Sequence, residues 1–246
     1  MTTDSRAKRA NEAFMLLAEN LERVLVLSPH ADDEAMGCSG LLAKLSEQGC
    51  QTHILYLAVD GFHHYGLDRV TSYEERVREI ESVTELLGCS YEIAYGDRDL
   101  IEKLDTLPKR ELVDLFEGAI NEHRPDLLLL PYGEDYDQDH VAVFQTAFAA
   151  ARPIAQKFGK HLVPHVLTYE MTKINWAAQP LPRPVAYCDI TEQLGVKFEA
   201  VKRYVTQLRP SPHIRSLESV SALANIRGKE IGVEYAEAFG VLRTVI

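Results

Sequence analysis

The chain has 246 residues, 46% hydrophobic and 26% charged, the balance of an ordinary globular protein long enough for one sizeable α/β core. Asp and Glu number 37 against 26 Lys and Arg, a formal net charge of −11. That balance argues against nucleic acid or an anionic membrane as the main partner, since both need clustered cations, but leaves room for a local basic pocket. Cys38, Cys50, Cys89 and Cys188 lie far apart with no C-x-x-C spacing and read as free thiols of a reducing compartment. No apolar run is long enough to span a bilayer, and residues 1–20 lack the continuous apolar core of a secretory signal, so the expected setting is the cytoplasm.

Residues 5–19 have the spacing of an amphipathic helix ahead of the first strand. The apolar run over 24–27 stops at Ser28-Pro29 and reads as a buried strand. Met36, Leu41, Leu42 and Leu45 recur at helical spacing, which predicts a helix over 34–48 directly after it. A second strand over 52–59 leads into a polar, Gly-bounded loop, 60–66, that carries Phe62, His63, His64 and Tyr65. A charged helix over 72–87 ends at Gly88 as a C-cap would. Next come a strand over 91–95, a helix over 107–122, an apolar strand over 126–130 that ends at Pro131, and a helix over 141–157. From Pro164 the pattern changes. Segments 165–171 and 185–188 read as antiparallel or edge strands around the Pro-rich run 180–184, and helices are expected over 191–208 and 217–239.

This alternation predicts an α/β fold, a Rossmann-like, mostly parallel sheet with helices on both faces, to which the C-terminal part adds short edge strands and helices. No linker divides the chain, so 1–246 reads as one domain, with 1–20 an N-terminal helix and 164–246 a C-terminal extension on the substrate side. Only Gly37 and Gly40 follow the first strand, so a G-x-G-x-x-G dinucleotide site is poorly supported.

Two strand ends have an unusual polar content. The first is Pro29-His30-Ala31-Asp32-Asp33-Glu34; the second runs from Tyr132 through Asp135, Asp137 and Asp139 to His140. In open α/β sheets ligands bind in the crevice at such carboxyl ends. A single aspartate there is explained as a helix cap; two, with a histidine and a glutamate beside them, exceed what capping requires. A catalytic zinc takes three ligands from His, Asp and Glu and leaves a position for water and substrate. His30, Asp33 and His140 supply that set. Asp32 diverges from its neighbour in an extended turn and is left to take a proton from water.

These residues resemble the paired signatures of the PIG-L/LmbE-like zinc-dependent N-deacetylases: a His-x-Asp-Asp-Glu block after strand one, and an HxDH-type block, here Asp137 to His140, after strand four. Arg76 and Glu79 with Leu87-Gly88 are similar to an R-x-x-E…L-G helix of that family, and Arg124-Pro125-Asp126 to its lead-in to strand four. Asp189-Ile190-Thr191, Tyr204 with Gln207-Leu208, Arg215-Ser216, Arg227-Gly228 and the run from Tyr235 to Phe239 resemble the C-terminal part of a bacterial subgroup.

The resemblance implies hydrolysis of an N-acyl group, typically the N-acetyl of an amino sugar or sugar conjugate, with one Zn2+ per chain on His30, Asp33 and His140. Asp32 would be the general base and Asp139 would orient the catalytic groups; a homo-oligomer is one assembly the resemblance allows. The chain departs from the pattern at Asp137, where the family most often has a histidine credited with stabilising the oxyanion. His213 in the C-terminal loop is the favoured replacement donor, ahead of His63, His64 and Tyr136. Arg76, Asp137, Phe62 and Tyr65 are the expected substrate contacts. Two other readings compete: an inactive ligand-binding member of the same fold, and a metal-dependent hydrolase of another bond such as a phosphoester.

Overall fold

The computed structural model describes residues 21–59, 70–96, 98–154, 156–172 and 186–245. The expected N-terminal helix over 5–19, the loop 60–66 with Phe62 and Tyr65, and the Pro-rich run 180–184 fall outside them. Among the described residues seven strands form one sheet: β1 (Arg23–His30), β2 (Gln51–Ala58), β3 (Ser90–Ile93), β4 (Leu127–Pro131), β5 (His165–Tyr169), β6 (Ala186–Asp189) and β7 (Ala236–Arg243), in the order β3-β2-β1-β4-β5-β7-β6. β3, β2, β1, β4 and β5 run parallel, and β7 is antiparallel to both β5 and β6. The helices are α1 (Asp33–Gly37), α2 (Ser39–Glu47), α3 (Tyr73–Leu87), α4 (Lys109–His123), α5 (Gln138–Ala150), α6 (Leu194–Arg203) and α7 (Leu217–Ile231). No helix among the described residues is long and apolar enough to cross a membrane.

The strands are apolar on both sides because both faces of the sheet are covered. Val24 and Val26 join Ile54, Leu127 and Leu129 in a core under α2 and α3, while Leu25 and Leu27 join Leu55, Leu128 and Leu130 in a second core with Phe116, Ile120 and Val143. The strand order turns back on itself between β1 and β4. That switch point is where an open parallel sheet leaves a crevice beyond its strand ends. Both loaded turns of the sequence leave from it.

Several boundaries differ from the sequence reading, each for a local reason. The helix expected over 34–48 breaks at Cys38 and restarts as α2. The buried carboxylate of Glu237, on β7, accepts from the N–H groups of Gly40 and Leu41 at 2.9 and 2.7 Å and pairs with Lys197 at 2.6 Å, so the second helix begins where this anion claims its N-terminus. The helix expected over 217–239 stops at Gly232, which takes φ 83°, and the remainder is β7. Ala236, Glu237 and Ala238 carry no strand propensity; burial against β5 and β6 decides their state. As a consequence β5 is an interior strand, parallel to β4 and antiparallel to β7, while β6 is the antiparallel strand at the end of the sheet. The expected helices over 141–157 and 191–208 shorten to α5 and α6.

Two braces sit beneath the turn that follows β1. Arg76, buried, donates Nη1 to Glu79 Oε2 and Thr206 Oγ1, both at 2.7 Å, and Nη2 to the carbonyl of Ala31. Glu34 is also buried; its Oε1 accepts from the Tyr204 hydroxyl at 2.6 Å, and Tyr204 in turn meets the Tyr56 hydroxyl at 3.2 Å. Burial pushes the Glu34 carboxyl up to about 7. Behind α1, a Cβ on Gly37 would overlap the ring of Tyr169, and that ring is pinned by a 3.0 Å bond from its hydroxyl to the Leu27 carbonyl.

Two outcomes follow from these braces. Gly37→Ala should lower stability by about 1–3 kcal/mol, seen as a shifted urea midpoint with an unchanged slope, because the Tyr169 ring cannot retreat. Glu34 has a folded pKa of about 7 against an ordinary value of 4.5, so between those values the folded state keeps a proton that the unfolded state has lost. Stability therefore falls as pH rises through that window, by on the order of 3 kcal/mol, and is flat above it. Glu34→Gln keeps an acceptor for Tyr204 and removes the titration, so its stability advantage over the parent should widen from pH 4.5 to 7. Urea midpoints across that range decide the matter; a constant difference would mean that Glu34 does not titrate there.

Candidate active site

β1 ends on His30, and β4, its parallel neighbour, leads into α5, so Asp139 and His140 in the first turn of α5 come against the first strand end. Asp139 is fully buried. Its Oδ2 accepts from the N–H of Glu102 at 2.7 Å and its Oδ1 from that of Leu104 at 2.8 Å, and Oδ2 lies 2.8 Å from His30 Nε2. A carboxylate held in this way takes the Nε2–H of His30 and leaves the Nδ1 lone pair for the site. The backbone N–H of His30 donates to Asp33 Oδ2 at 2.8 Å, and that oxygen lies 3.6 Å from His30 Nδ1 and 3.3 Å from His140 Nε2. On the far side of the His140 ring, Nδ1 is 3.1 Å from Asp135 Oδ2, which favours an Nδ1–H and turns Nε2 inward.

A tetrahedron with ligand bonds of about 2.1 Å has edges of about 3.4 Å. The two edges that meet at Asp33 Oδ2 have that length, so His30, Asp33 and His140 could hold one cation. Asp137 joins them: its Oδ2 is 3.9 Å from His140 Nε2, and ligand atoms of His30, Asp137 and His140 all lie within 4.8 Å of one another. Its Oδ1 caps α5 by accepting from Asp139 N at 3.1 Å. Burial pushes the His30 imidazole down, but the bond to Asp139 and the charges of Asp137 and Asp33 outweigh it, and its pKa stands above the ordinary value. Carboxylates that attract a proton so strongly would attract a cation as well.

Asp32 faces a different way. Its backbone takes φ 129° and ψ −18°, a conformation that L residues rarely adopt and that stores on the order of 1–3 kcal/mol. The side chain is buried, Oδ2 accepts no hydrogen bond, and Arg215 Nε stands 3.6 Å from it. Burial raises its pKa, Arg215 opposes the rise and Asp33 adds to it. His30, Asp32 and Asp137 line a cavity of about 290 Å³ together with Gln207, Arg209, His213 and Arg215 from the segment between α6 and α7. His213 Nδ1 accepts from the backbone N–H of Arg215 at 3.0 Å, so the neutral ring carries its proton on Nε2. Burial and the charges of Arg215 and Arg209 hold the His213 pKa below its ordinary value.

The structure thus brings together His30, Asp32, Asp33, Asp137, Asp139 and His140, and places His213 and Tyr136 on the same cavity. Arg76 also lines it, but both of its terminal nitrogens are engaged on Glu79, Thr206 and the Ala31 carbonyl, which makes it a support of the turn. Arg209 and the contact of Arg215 with Asp32 are new relative to the sequence reading, because no periodicity marks a loop arginine as cavity-lining. A second group, His53, Glu92 and His123, has ligand-type atoms close together. There the imidazoles stack at 3.9 Å and 18°, so their in-plane lone pairs run side by side instead of converging, and the chemistry of a metal centre is poorly served.

A family model described as PIG-L, GlcNAc-PI de-N-acetylase, matches residues 25–151. An uncharacterized deacetylase of Escherichia coli K12, YaiS, is 24% identical over 203 residues, covering 80% of this chain and 98% of its own. A diacetylchitobiose deacetylase of Thermococcus kodakarensis KOD1 is 23% identical over 245 residues, 93% of this chain and 85% of the other. Among solved structures, GalB, the 4-carboxy-2-hydroxymuconate hydratase of Pseudomonas putida KT2440, superposes with a TM-score of 0.71 at 22% identity, covering 92% of this chain and 98% of that one. The last likeness shows a shared fold and nothing finer. With the family model spanning just over half of its length, including both turns, the chain belongs to the PIG-L family of GlcNAc-PI de-N-acetylases.

Proposed function

We propose that the chain is a metal-dependent N-deacetylase that hydrolyses the N-acetyl group of an amino sugar or sugar conjugate, with one Zn2+ per chain. The observation that carries this reading is a three-cornered ligand set whose His30 lines the same cavity as a further carboxylate, Asp32, whose Oδ2 accepts no hydrogen bond. Two imidazoles and a carboxylate suit zinc. The sugar assignment draws support from the Thermococcus relative, whose name is that of a diacetylchitobiose deacetylase.

In this reading His30, Asp33 and His140 hold the cation and Asp139 fixes the tautomer of His30. When bound, the cation supplies Lewis acidity, lowering the pKa of water to about 7 and polarising an amide carbonyl. Asp32 takes the proton of the attacking water and delivers it to the departing amine; a carboxylate with a raised pKa suits both halves of that exchange. Arg215 keeps the carboxylate of Asp32 aimed into the cavity. His213 offers a neutral Nε2–H to the developing oxyanion, the role that the family gives to the histidine replaced here by Asp137. Asp137 lines the cavity whereas Asp33 does not, so Asp137 faces the substrate and accepts from a hydroxyl or amine. Phe62 and Tyr65, which follow β2 in the sequence, remain proposed stacking partners for a sugar face. An inert binding protein would have no use for the strained, buried carboxylate of Asp32.

Acetate release from a panel of N-acetylated sugars, measured with zinc content, tests the reading directly; full zinc without acetate from any member would reject it. Asp32→Asn should retain metal and lose on the order of 10²–10⁴ in kcat. Turnover near the parent's level would place the base elsewhere. His140→Ala should lose most of the bound zinc together with activity, and undiminished zinc in that variant would remove His140 from the ligand set.

A further inference from the structure

Glu79, on α3, is not among the residues that line the cavity, yet its carboxylate is buried and meets three donors. Its Oε1 accepts from the backbone N–H of Thr206 at 2.7 Å, and its Oε2 from Arg76 Nη1 and the Thr206 hydroxyl, both at 2.7 Å. From this one anion two routes lead to Asp32. The short one runs through Arg76, whose Nη2 donates to the carbonyl of Ala31. That carbonyl belongs to the planar peptide unit that enters Asp32, so its direction is what the φ of 129° describes. The long route runs through Thr206. Its hydroxyl proton is given to Glu79, and the oxygen accepts from Gln207 Nε2 at 3.4 Å, which turns Gln207 Oε1 toward Arg215 Nη1 at 2.7 Å. Arg215 in turn presents Nε to Asp32 Oδ2 at 3.6 Å. A non-glycine residue at positive φ persists where its surroundings over-determine it, and Glu79 is the point at which the two constraints on Asp32 meet.

We infer that Glu79 is a positioning residue for the general base: through Arg76 it holds the backbone of Asp32, and through Thr206, Gln207 and Arg215 it aims the carboxylate. The inference rests on the deacetylase reading for the role of Asp32 and extends it to a group outside the cavity on which the base depends. Neutralising the buried Arg76 requires a single oxygen of Glu79. The second oxygen holds the Thr206 N–H, and so ties in the segment that bears Gln207 and Arg215. Glutamine cannot reproduce the set. Arg76 and the Thr206 N–H donate to different oxygens, so whichever way the amide of Glu79→Gln turns, one of these donors meets an N–H.

The test uses the zinc-loaded full chain and the N-acetylated sugar of the panel that it cleaves fastest, N-acetylglucosamine being the simplest member. Glu79→Gln should keep its zinc and lower kcat about 10–100-fold with KM within about 3-fold of the parent's, the effect of a base misplaced by about an ångström. Thr206→Val cuts the long route at the hydroxyl and should act in the same direction, whereas Thr206→Ser should restore most of the rate. An Asp32→Asn background separates positioning from general support of the fold. A residue that acts through the base has nothing left to act on there, so adding Glu79→Gln should lower kcat by less than about 3-fold more. A loss as large as in the parent background overturns the inference, as does an unchanged kcat in both Glu79→Gln and Thr206→Val. Should Glu79→Gln not fold, Thr206→Val and Thr206→Ser carry the same comparison. If the parent releases acetate from no sugar of the panel, the deacetylase reading falls and crystal structures of the parent and the variant decide the rest. Asp32 leaving its positive φ, or Arg215 leaving Asp32, supports the positioning role; an unchanged Asp32 rejects it.

Discussion

The contact between His30 and Asp139 joins positions 109 residues apart, and the arrangement of the site depends on it. It forms because β1 and β4 are parallel neighbours at the switch point of the sheet, which brings the last residue of one strand against the first turn of the helix after the other. Asp139 is in turn fixed by two backbone N–H groups of the 102–104 segment, so its orientation is set by main chain and not by a rotamer choice. With Nε2–H of His30 committed there, Nδ1 has one direction left, toward Asp33 and His140. One buried carboxylate thus converts strand pairing into ligand geometry.

Concentrating carboxylates at one sheet end opposes folding, and the molecule counters this with cations drawn from distant parts of the chain. Arg76 reaches from α3 to the Ala31 carbonyl, Arg215 from the last loop to Asp32, and Lys197 from α6 to Glu237 beneath the start of α2. Glu34 is handled differently, by keeping its proton up to about pH 7. Each device leaves Asp32 strained and without a hydrogen bond at Oδ2, the expected position for a group whose partner arrives with the substrate.

The parallel half of the fold was legible because its signals are local. Apolar runs stop at polar turns, and helix α3 ends at Gly88, the left-handed C-cap its residue type promises, while the capping box of Ser72 and Glu75 at its start is added by the structure. The two loaded turns were legible because their density of ligand-type residues exceeds what capping explains. The C-terminal third was less so. β7 opens on Ala236, Glu237 and Ala238, whose strand state comes from burial between β5 and β6, a long-range effect without periodicity. The same holds for Arg209 and Arg215, which share a cavity with Asp32 only because the segment after α6 folds back over the strand ends.

Asp137 gains a structural account from its place in the fold. Its Oδ1 accepts from Asp139 N, and its backbone takes the extended conformation of an N-cap, so it starts the helix that carries both Asp139 and His140. Asparagine, serine or aspartate can perform that task, whereas a histidine caps poorly. The family's usual histidine therefore trades a capping bond for a donor, and this chain makes the opposite choice. An ionised Asp137 would repel a developing oxyanion, so a chain with this residue needs its donor from elsewhere. His213 meets the requirement on three counts: it lines the same cavity, its tautomer is fixed by the Arg215 backbone N–H, and its neighbours favour the uncharged ring. The C-terminal loop in this reading supplies the missing donor, so a change at one position of the HxDH block and the placement of a histidine about 75 residues later are two parts of one adaptation.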